Sequence, residues 1–368
     1  EKNILGYNII GPSSSTLYDY RVKSELIKSW EVGLDLRFLN GRIGLDATWY
    51  KSNATNQLLD MDLHPMSGYS KKKVNAGNIQ NSGIEFAINA NILENREGLN
   101  WDASLNFSKN KDKIIDLYES INTYSLGNYE DIRVLATKGG EYGAMYGKKY
   151  RRVDDQNSPY HGMKIVDDQG LPLFTDDYEY LGNQNPDCML GITNNFSYKG
   201  FNLSFLVDMR FGGKFYSGTT ALLHRFGKAE ATVVNGKRDN FIVDGTVVSD
   251  GNGGYAVNSK EVTPENYWSR IYGAGGNFGL GEEFTYDATN IRLRNITIGY
   301  DFNKKLLAKT PFQKVRLSAT CNNVWMIHYN LPGIDPESVS ATNTNAIGFE
   351  GNTAPTSRTF VFNLTLGF

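Results

Sequence analysis

The last eleven residues of the chain, Arg358–Phe368, alternate between apolar and mostly polar side chains. One side of this extended segment carries Phe360, Phe362, Leu364, Leu366 and Phe368. The other side carries Thr359, Val361, Asn363, Thr365 and Gly367. Because a β-strand turns successive side chains to opposite faces, the segment has one apolar and one mostly polar face. Repeated segments of about ten residues with this pattern are typical of all-β, transmembrane antiparallel β-barrels.

The same alternation marks earlier segments, which we interpret as further strands. The clearest lie within residues 30–38, 43–50, 84–92, 101–108, 190–198, 201–211, 296–302 and 315–322. Asn40-Gly41 separates the first two and is a strong hairpin signal, so we expect those two strands to pair. The whole chain shows about eleven to thirteen strand segments by this criterion.

Charged residues occupy the polar positions of several segments. A charge on the lipid face of a barrel is costly, so we expect these side chains to face a wet lumen. The predicted lumen-facing charges are Glu31, Asp35, Arg37, Glu85, Asp208, Arg210 and Arg316.

One late segment breaks the alternation. Leu293 and Ile296 are both apolar but lie three positions apart. Either a β-bulge lies near Arg294-Asn295, or Arg292 and Arg294 lie beyond the lipid band. We favour the second explanation.

The connections between segments have two sizes. Short ones lie at 39–42, 94–99, 198–201 and 303–312, and long ones at about 61–74, 110–144, 153–187, 212–286 and 325–356. Outer-membrane barrels have short periplasmic turns and long extracellular loops. The whole of residues 1–368 is therefore predicted to be one barrel segment with long extracellular loops, and its last residue lies on the periplasmic side.

Composition excludes several classes of protein. The net charge is −2 and the longest basic run is Lys71-Lys72-Lys73, so a nucleic-acid partner is not expected. The mean hydropathy is −0.43, and no run of 18 apolar residues predicts a transmembrane helix. The two cysteines, Cys188 and Cys321, lie far apart, and a disulfide between them has no support from the sequence.

Motifs for catalysis or cofactor binding are not found in the sequence. The histidines have no zinc spacing, and no nucleophile elbow or phosphate loop occurs, so we expect no enzyme, no cofactor and no metal. The acidic pairs Asp154-Asp155, Asp167-Asp168 and Asp176-Asp177 leave calcium as an alternative, although their spacing matches no known calcium loop. A surface protease or lipase would need a His/Asp/Ser arrangement near the rim of the barrel. His64, His224 and His328 lie in predicted loops, but none of them has an Asp and a Ser at a spacing that would indicate such a site.

Aromatic residues crowd into the predicted loops. Exposed rings offer apolar platforms to a sugar, a peptide or a partner protein. The candidates for substrate or lid contact are Tyr255, Tyr267, Trp268, Tyr272 and Tyr329, accompanied by Phe278 and Trp325. Alternatively these rings pack the loops against each other, or Trp325 belongs to an interfacial girdle.

Seven stretches, taken in order, resemble a known family. They are Lys28–Phe38, Asn81–Glu85, Gly191–Phe201, Ile291–Tyr300, Val315–Asn323, Asp335–Glu337 and Pro355–Phe368. Their order and spacing are similar to the C-terminal barrel half of SusC/RagA-type TonB-dependent outer-membrane transporters of Bacteroidetes. The chain reads Asp287-Ala-Thr-Asn290 where that family more often has an acidic–Ala/Gly–Ser–aromatic run.

The resemblance implies a 22-stranded barrel in the outer membrane of a Gram-negative cell. It further implies an N-terminal plug, energy coupling through TonB and a SusD-like lipoprotein lid, with import of oligosaccharides or peptides. No plug or TonB box is visible in this sequence, so we expect upstream sequence to complete the barrel; a smaller, self-closed barrel is the alternative. The terminal Phe368 resembles the signal that the outer-membrane assembly machinery reads.

Two functions follow from these expectations. The first is active import of oligosaccharides or peptides across the outer membrane, with the apolar face of the barrel wall in contact with lipid. The second is a passive porin or a structural outer-membrane barrel, for which the C-terminal strand would serve equally well. Neither the sign nor the placement of the lumen charges distinguishes a glycan from a peptide.

Overall fold

The computed structural model describes residues 2–4, 7–9, 15–95, 97–118, 121–233, 236–273, 279–340 and 344–368. Among the loop aromatics named above, Phe278 lies outside these ranges. The described chain is mostly β-strand with a few short helices. None of these helices is long and apolar enough to cross a membrane.

The strands are numbered in chain order. Up to residue 147 they are β1 (Lys2–Ile4), β2 (Tyr7–Ile9), β3 (Thr16–Tyr18), β4 (Leu26–Phe38), β5 (Ile43–Asp62), β6 (Lys71–Leu93), β7 (Leu99–Asp116), β8 (Thr123–Tyr129), β9 (Ile132–Thr137) and β10 (Ala144–Gly147). From there to residue 249 they are β11 (Lys164–Val166), β12 (Glu179–Asn183), β13 (Cys188–Tyr198), β14 (Phe201–Phe211), β15 (Lys214–Ser217), β16 (Phe241–Ile242) and β17 (Thr246–Ser249). The remaining strands are β18 (Tyr255–Val257), β19 (Glu261–Val262), β20 (Thr285–Asp287), β21 (Asn290–Asp301), β22 (Lys314–Tyr329), β23 (Phe349–Glu350) and β24 (Thr359–Gly367).

The helices are short and belong to the connections. They are α1 (Gly218–Arg225), α2 (Pro264–Gly273) and α3 (Lys304–Leu307), with 3₁₀ turns at Pro65–Ser67 and Glu230–Thr232. A side chain before α1 stabilises its first turn, because Ser217 Oγ accepts a hydrogen bond of 3.0 Å from the Thr220 backbone N–H. Asn303 caps α3 in the same way through the N–H of Lys305, at 3.0 Å.

One large sheet contains the long strands. Its order is β4-β5-β6-β7-β13-β14-β21-β22-β24, and β3 pairs in parallel with β6. Long strands that follow each other along the chain are neighbours in the sheet, which is the up-and-down order of barrel walls. Within the described ranges the sheet has nine strands along its path and β3 beside it, fewer than the eleven to thirteen strand segments predicted for the barrel wall.

The tight turns follow the local sequence. Leu39, Asn40 and Gly41 have positive φ angles of 52°, 55° and 85°, and they connect β4 to β5 as the Asn-Gly signal predicted. Lys199 and Gly200, with φ of 46° and 91°, form a two-residue hairpin between β13 and β14. A Cβ atom at position 200 would lie 2.7 Å from the Asp301 carbonyl oxygen. A residue larger than glycine therefore does not fit this turn unless the backbone shifts.

An apolar band is open on one face of the large sheet. Near its two ends, Trp30 is 74% exposed and Phe362 is 81% exposed. In the middle of the sheet the rings of Phe86 and Phe107 stack at 4.7 Å between centroids. Soluble proteins rarely leave a contiguous apolar area of this kind uncovered, whereas a barrel exposes such a band to lipid.

The interrupted register in β21 is a β-bulge. Arg294 is skipped on both sides, because Val207 pairs with Leu293 and Leu206 with Asn295, and β22 shows the same shift. Our preference for the other explanation was therefore wrong. An extra residue in one strand shifts the alternation of the residues after it by one position. Leu293 and Ile296 therefore lie on the same face although they are three positions apart.

Several predicted loops contain ordered secondary structure. β7 extends to Asp116 and β22 to Tyr329, and the connection placed at 61–74 shortens to residues 63–70. The long connections fold into four small sheets with the orders β8-β9-β10-β12, β11-β17-β18, β20-β15-β23 and β16-β19. We call the described residues of 117–187, 212–289 and 330–358 the loop lobe. Its largest buried cluster includes Ile132, Met145, Tyr216, Ile271 and Phe284.

Candidate functional site

The polar face of the large sheet is the first part of the candidate site. Cross-strand partners in register share a face, so the pairing itself assigns the side of each residue. One row joins Asp35 and Asp46 to Asp208 through Ala87, Asn106 and Gly191. The pairing places all seven predicted charges opposite the apolar band: Glu31, Asp35, Arg37, Glu85, Asp208, Arg210 and Arg316. Their contact with a water-filled lumen remains a prediction.

Charges of both signs lie close together on this face. Arg37 Nη1 lies 2.5 Å from Asp35 Oδ1 and 3.7 Å from Asp46 Oδ2. Arg316 lies 3.9 Å from Asp301, whose other contact is Asn202 Nδ2 at 2.8 Å. Exposed pairs of this kind contribute little to stability. They make the face polar without giving it one sign of charge.

A group of ion pairs links the bulge in β21 to the loop lobe. We call Asp208, Arg292, Arg294, Asp335 and Glu337 the bulge network. Arg292 donates from Nη1 and Nη2 to Asp335 at 3.1 and 2.5 Å, and Arg294 donates to Glu337 through both terminal nitrogens at 2.7 Å. Arg294 also contacts Asp208 on the neighbouring strand. Bidentate pairs of this geometry are the strongest of the charged hydrogen bonds.

Burial and hydrogen bonds act in opposite directions on the two acids of this network. Burial alone would raise the pKa of Asp335, but hydrogen bonds from Arg292 and Thr356 outweigh burial and lower that pKa. The hydrogen bond from Arg294 lowers the pKa of Glu337, against a smaller opposing effect of burial. Both acids are therefore ionised at neutral pH. The side chains of Arg292 and Asp335 are 3% and 9% exposed, so this ion pair is held away from water.

A glutamine joins the loop lobe to the rim of the sheet. Gln184 is 3% exposed, and its Oε1 accepts from the backbone N–H groups of Ile347 and Gly348 at 2.9 and 3.0 Å. Its Nε2 donates to the Asn345 carbonyl, and its own carbonyl accepts from Arg210 at 2.8 Å. Arg210 is thus held at the rim by a loop backbone, and the lobe is fixed above the polar face.

The predicted contact aromatics occupy different environments. Trp268 is 9% exposed in the main cluster of the lobe, and Tyr267 and Tyr272 pack against that cluster. The burial of Trp268 supports the alternative that these rings pack the loops against each other. Tyr255 packs against a separate cluster that contains Val153 and Val247. Contact of these rings with substrate or lid remains a prediction.

The remaining aromatics lie on β22 and at the end of β24. Tyr329 is 47% exposed and pairs with Asn290 on the polar face. Trp325 is 61% exposed and pairs with Leu293 on the apolar face, as expected of an interfacial girdle. Phe368 is 77% exposed, and its ring lies 5.2 Å from that of Phe312. Its role in assembly remains a prediction.

The histidines and acidic pairs form no metal centre within the described ranges. No group of three or more His, Cys, Asp or Glu side chains lies close enough together there to hold an ion. Cys188 and Cys321 are both free thiols. His224, which the sequence suggested lay in a loop, is a buried residue of α1.

The sequence analysis singled out residues of the bulge network but did not show that the arginines and the acids contact each other. Arg292 and Arg294 appeared as a break in an apolar pattern, and Asp335-Pro-Glu337 appeared as a stretch shared with a family. Two arginines that interrupt an apolar pattern need acidic partners elsewhere in the chain if they are buried. The separation of 43 residues hid which acids these were.

Comparison with known proteins gives consistent results along most of the chain. TonB-dependent receptor SusC of Bacteroides thetaiotaomicron is 28% identical over 368 residues, which cover 95% of this chain and 33% of that protein. TonB-dependent receptor P3 of Formosa agariphila is 27% identical over 372 residues, covering 94% of this chain and 34% of that receptor. The chain is similar to SusC-type TonB-dependent receptors. No protein-family model matches it.

Solved structures agree on the fold. The RagAB peptide transporter superposes with a TM-score of 0.67 at 18% identity, covering 94% of this chain and 35% of that one. RagAB in its "open-open" state gives a TM-score of 0.66. The expected resemblance, the all-β transmembrane fold class and the outer-membrane location are confirmed. The chain spans about a third of the length of the curated relatives it matches.

Proposed function

We propose that this chain forms part of the wall and the outer loops of a TonB-dependent importer for oligosaccharides or peptides. The observation that supports this most directly is the similarity to named TonB-dependent receptors over 95% of the chain. The two-faced sheet is consistent with it, because a wall between lipid and a wet passage needs one apolar and one polar face.

The importer needs no covalent chemistry from this chain. The polar face provides hydrogen-bonding groups and charges of both signs, and the loop lobe closes over its rim through Gln184 and Arg210. Relatives named as receptors and transporters favour a protein that is not an enzyme. The cargo we propose is hydrated and polar, either a glycan fragment or a peptide.

The proposed partners follow from the same relatives. Energy coupling would come from TonB, after which the curated relatives are named. A lipoprotein of the SusD type would cover the loop lobe as a lid, and outer-membrane lipid would contact the band that contains Trp30 and Phe362. The sheet path ends at β4 and β24, and backbone groups at a sheet edge need partners in hydrocarbon, so further strands would close the wall.

A passive porin or a structural barrel is the second candidate. The exposed apolar band favours any outer-membrane barrel equally, and so does the mixed charge of the polar face. Energy coupling separates the two candidates, because a porin passes solutes down a gradient without TonB.

Uptake by cells that express the full-length receptor tests the proposal. Isotope-labelled dextrin and casein hydrolysates serve as probes, in cells with the receptor gene, without it, and with the gene but without TonB. We expect accumulation of one probe that requires both the receptor and TonB. Accumulation that requires the receptor but persists without TonB would establish the porin instead. Accumulation that is the same with and without the receptor gene would leave a structural role.

A further inference from the structure

A cavity in the loop lobe lies apart from the polar sheet face. It has a volume of about 460 Å³ and lies between the last turn of α1 and the first turn of α2. Its lining includes His224, Arg225, Arg238, Asn240, Glu265 and Trp268. A space of this size fits a small-molecule ligand rather than a polymer.

Two arginines give the cavity its positive charge. Arg238 Nη2 donates to the Gly227 carbonyl at 2.6 Å, and Arg225 contacts Ser269 Oγ. These contacts use a small part of the five N–H donors of each guanidinium. Within the described ranges neither arginine forms an ion pair with a carboxylate, although Glu265 lies in the same lining and the Arg225 guanidinium lies 5.9 Å from the centroid of the Tyr272 ring. Guanidinium groups without a carboxylate partner around a concave space are suited to a carboxylate.

The helix ends around the cavity add to this preference. The last carbonyls of α1 are satisfied, because Leu222 and His224 accept from the N–H groups of Phe226 and Gly227. The first turn of α2, with Pro264 and Glu265, lines the cavity. A helix N-terminus carries partial positive charge and favours an anion, although Pro264 has no N–H and the Asn266 N–H donates to Thr263 Oγ1 at 3.1 Å.

The histidine in the lining supplies the second, independent feature. His224 is 7% exposed, and its ring lies 4.4 Å from Trp268 and 5.3 Å from Phe284 between centroids. Its Nδ1 lies 2.7 Å from the Thr220 carbonyl oxygen. A carbonyl accepts hydrogen bonds, so Nδ1 carries the hydrogen, and Nε2 of the neutral ring is an acceptor. Within the described part of the chain, Nε2 has no hydrogen-bond partner, and the cavity is open to this side chain.

Donors and acceptors in the lining define the ligand. The arginines and the start of α2 recognise an anionic group, while Nε2 of His224 and the carboxylate of Glu265 accept hydrogen bonds. The geometry points to a binding site for a small carboxylate that has a hydroxyl or N–H donor beside the carboxylate. A sugar acid and the C-terminal residue of a peptide both have this chemistry. The site belongs to the loop lobe alone, so it does not depend on the proposed import.

Saturation-transfer NMR on the full-length receptor in detergent tests the site. The probes form two pairs, D-glucuronate with D-glucose and N-acetylalanine with N-acetylalanine amide. We expect saturation transfer to the acid of at least one pair and none to its neutral partner. The pair that responds identifies the source of the carboxylate. Equal transfer to the acid and its neutral partner, or transfer to none of the four probes, would overturn the proposal.

Two matched substitutions locate the binding. Arg238→Gln removes an exposed guanidinium from the lining, and we expect it to weaken acid binding about ten- to a hundredfold, as loss of a charged hydrogen bond does. Lys237→Gln removes the neighbouring charge, which is exposed and outside the lining, and should leave the affinity unchanged. If both substitutions weaken binding equally, the acids bind through general surface charge and the site does not exist. Unchanged thermal unfolding of both proteins shows that the fold is intact.

Discussion

Asn194 shows how a single residue can depart from the period-two pattern. It lies on the apolar face of β13, in register with Ala103 and Phe205. Its Oδ1 accepts a hydrogen bond of 3.0 Å from Trp101 Nε1, and the Trp101 ring stacks on Phe196 at 5.4 Å. Hydrocarbon offers no hydrogen-bond partner, so a polar side chain there must find one within the protein. The indole therefore satisfies the amide oxygen while it presents an apolar surface.

Glu350 is a second residue with a local role of this kind. It is fully buried, and its carboxylate accepts from Ser217 Oγ at 2.5 Å and from the backbone N–H of Thr219 at 3.1 Å. The Thr219 hydroxyl donates to its other oxygen at 2.5 Å. These donors lie at the start of α1, where a negative charge is favourable. The residue thereby ties the segment before β24 to the first turn of a helix in the loop lobe.

Glu350→Gln should loosen α1. The glutamine amide keeps one acceptor oxygen but places its NH₂ group next to the Ser217 and Thr219 donors. We therefore expect the free energy of unfolding of this region to fall by about 1–3 kcal/mol. Amide hydrogen exchange in Gly218–Arg225 should become about tenfold faster or more, since 1.4 kcal/mol corresponds to a factor of ten. Glu261→Gln, at an exposed position on β19, is the control and should not change this exchange. Unchanged exchange in both proteins would contradict the role assigned to Glu350.

At the scale of elements, the bulge in β21 and the loop after β22 act together. The bulge leaves Arg294 of β21 without a register partner on β14 or β22. The loop supplies Asp335 as the partner of Arg292 and Glu337 as the partner of Arg294. A loop held by bidentate ion pairs is ordered as long as both acids are ionised.

Acid should release this loop. The pKa values of Asp335 and Glu337 are lowered in the folded chain, so their stabilising contribution is complete above the ordinary carboxyl range, about pH 4. That contribution disappears as the pH falls through the lowered values. A fluorophore on a cysteine placed at the exposed Ser340, with Cys188 and Cys321 replaced by serine, should show slow rotation at neutral pH and fast rotation in strong acid.

The matched variant for this measurement is Arg294→Gln. It removes the bidentate partner of Glu337 and leaves the longer contact with Arg292 at 3.4 Å, so the label should already rotate faster at neutral pH and should respond less to acid. A label whose rotation does not change with pH in the unaltered protein would show that the ion pairs do not hold the loop.

The elements that the sequence predicted well are those with local signals. Alternation in Arg358–Phe368 and the Asn40-Gly41 turn specify a strand and a hairpin without reference to distant residues. The outer halves of β5 and β6 gave no such signal, because their apolar and polar residues do not alternate and cross-strand pairs such as Lys73 with Asp60, 3.1 Å apart, join them. The bulge network and the cavity beside His224 combine residues far apart in the chain, so no local pattern could indicate them.

At the scale of the whole molecule, one sheet separates two environments. Its apolar face presents Trp30, Phe86 and Phe362, and its polar face presents Asp35, Asp208 and Arg316. The folded loops then cover one rim and leave the short turns at the other. The proposed import and the proposed lid both require hydrocarbon against one face of this sheet and water against the other.

Spin-label accessibility along β24 measures this separation directly. Nitroxides would be placed one at a time at residues 360–365 of the full-length receptor in lipid bilayers, with the native cysteines replaced. Molecular oxygen concentrates in hydrocarbon, and a charged or polar nickel chelate stays in water. We predict that labels at 360, 362 and 364 collide mainly with oxygen, and that labels at 361, 363 and 365 collide mainly with the chelate. Accessibility without this alternation, or with the two sets exchanged, would contradict the account.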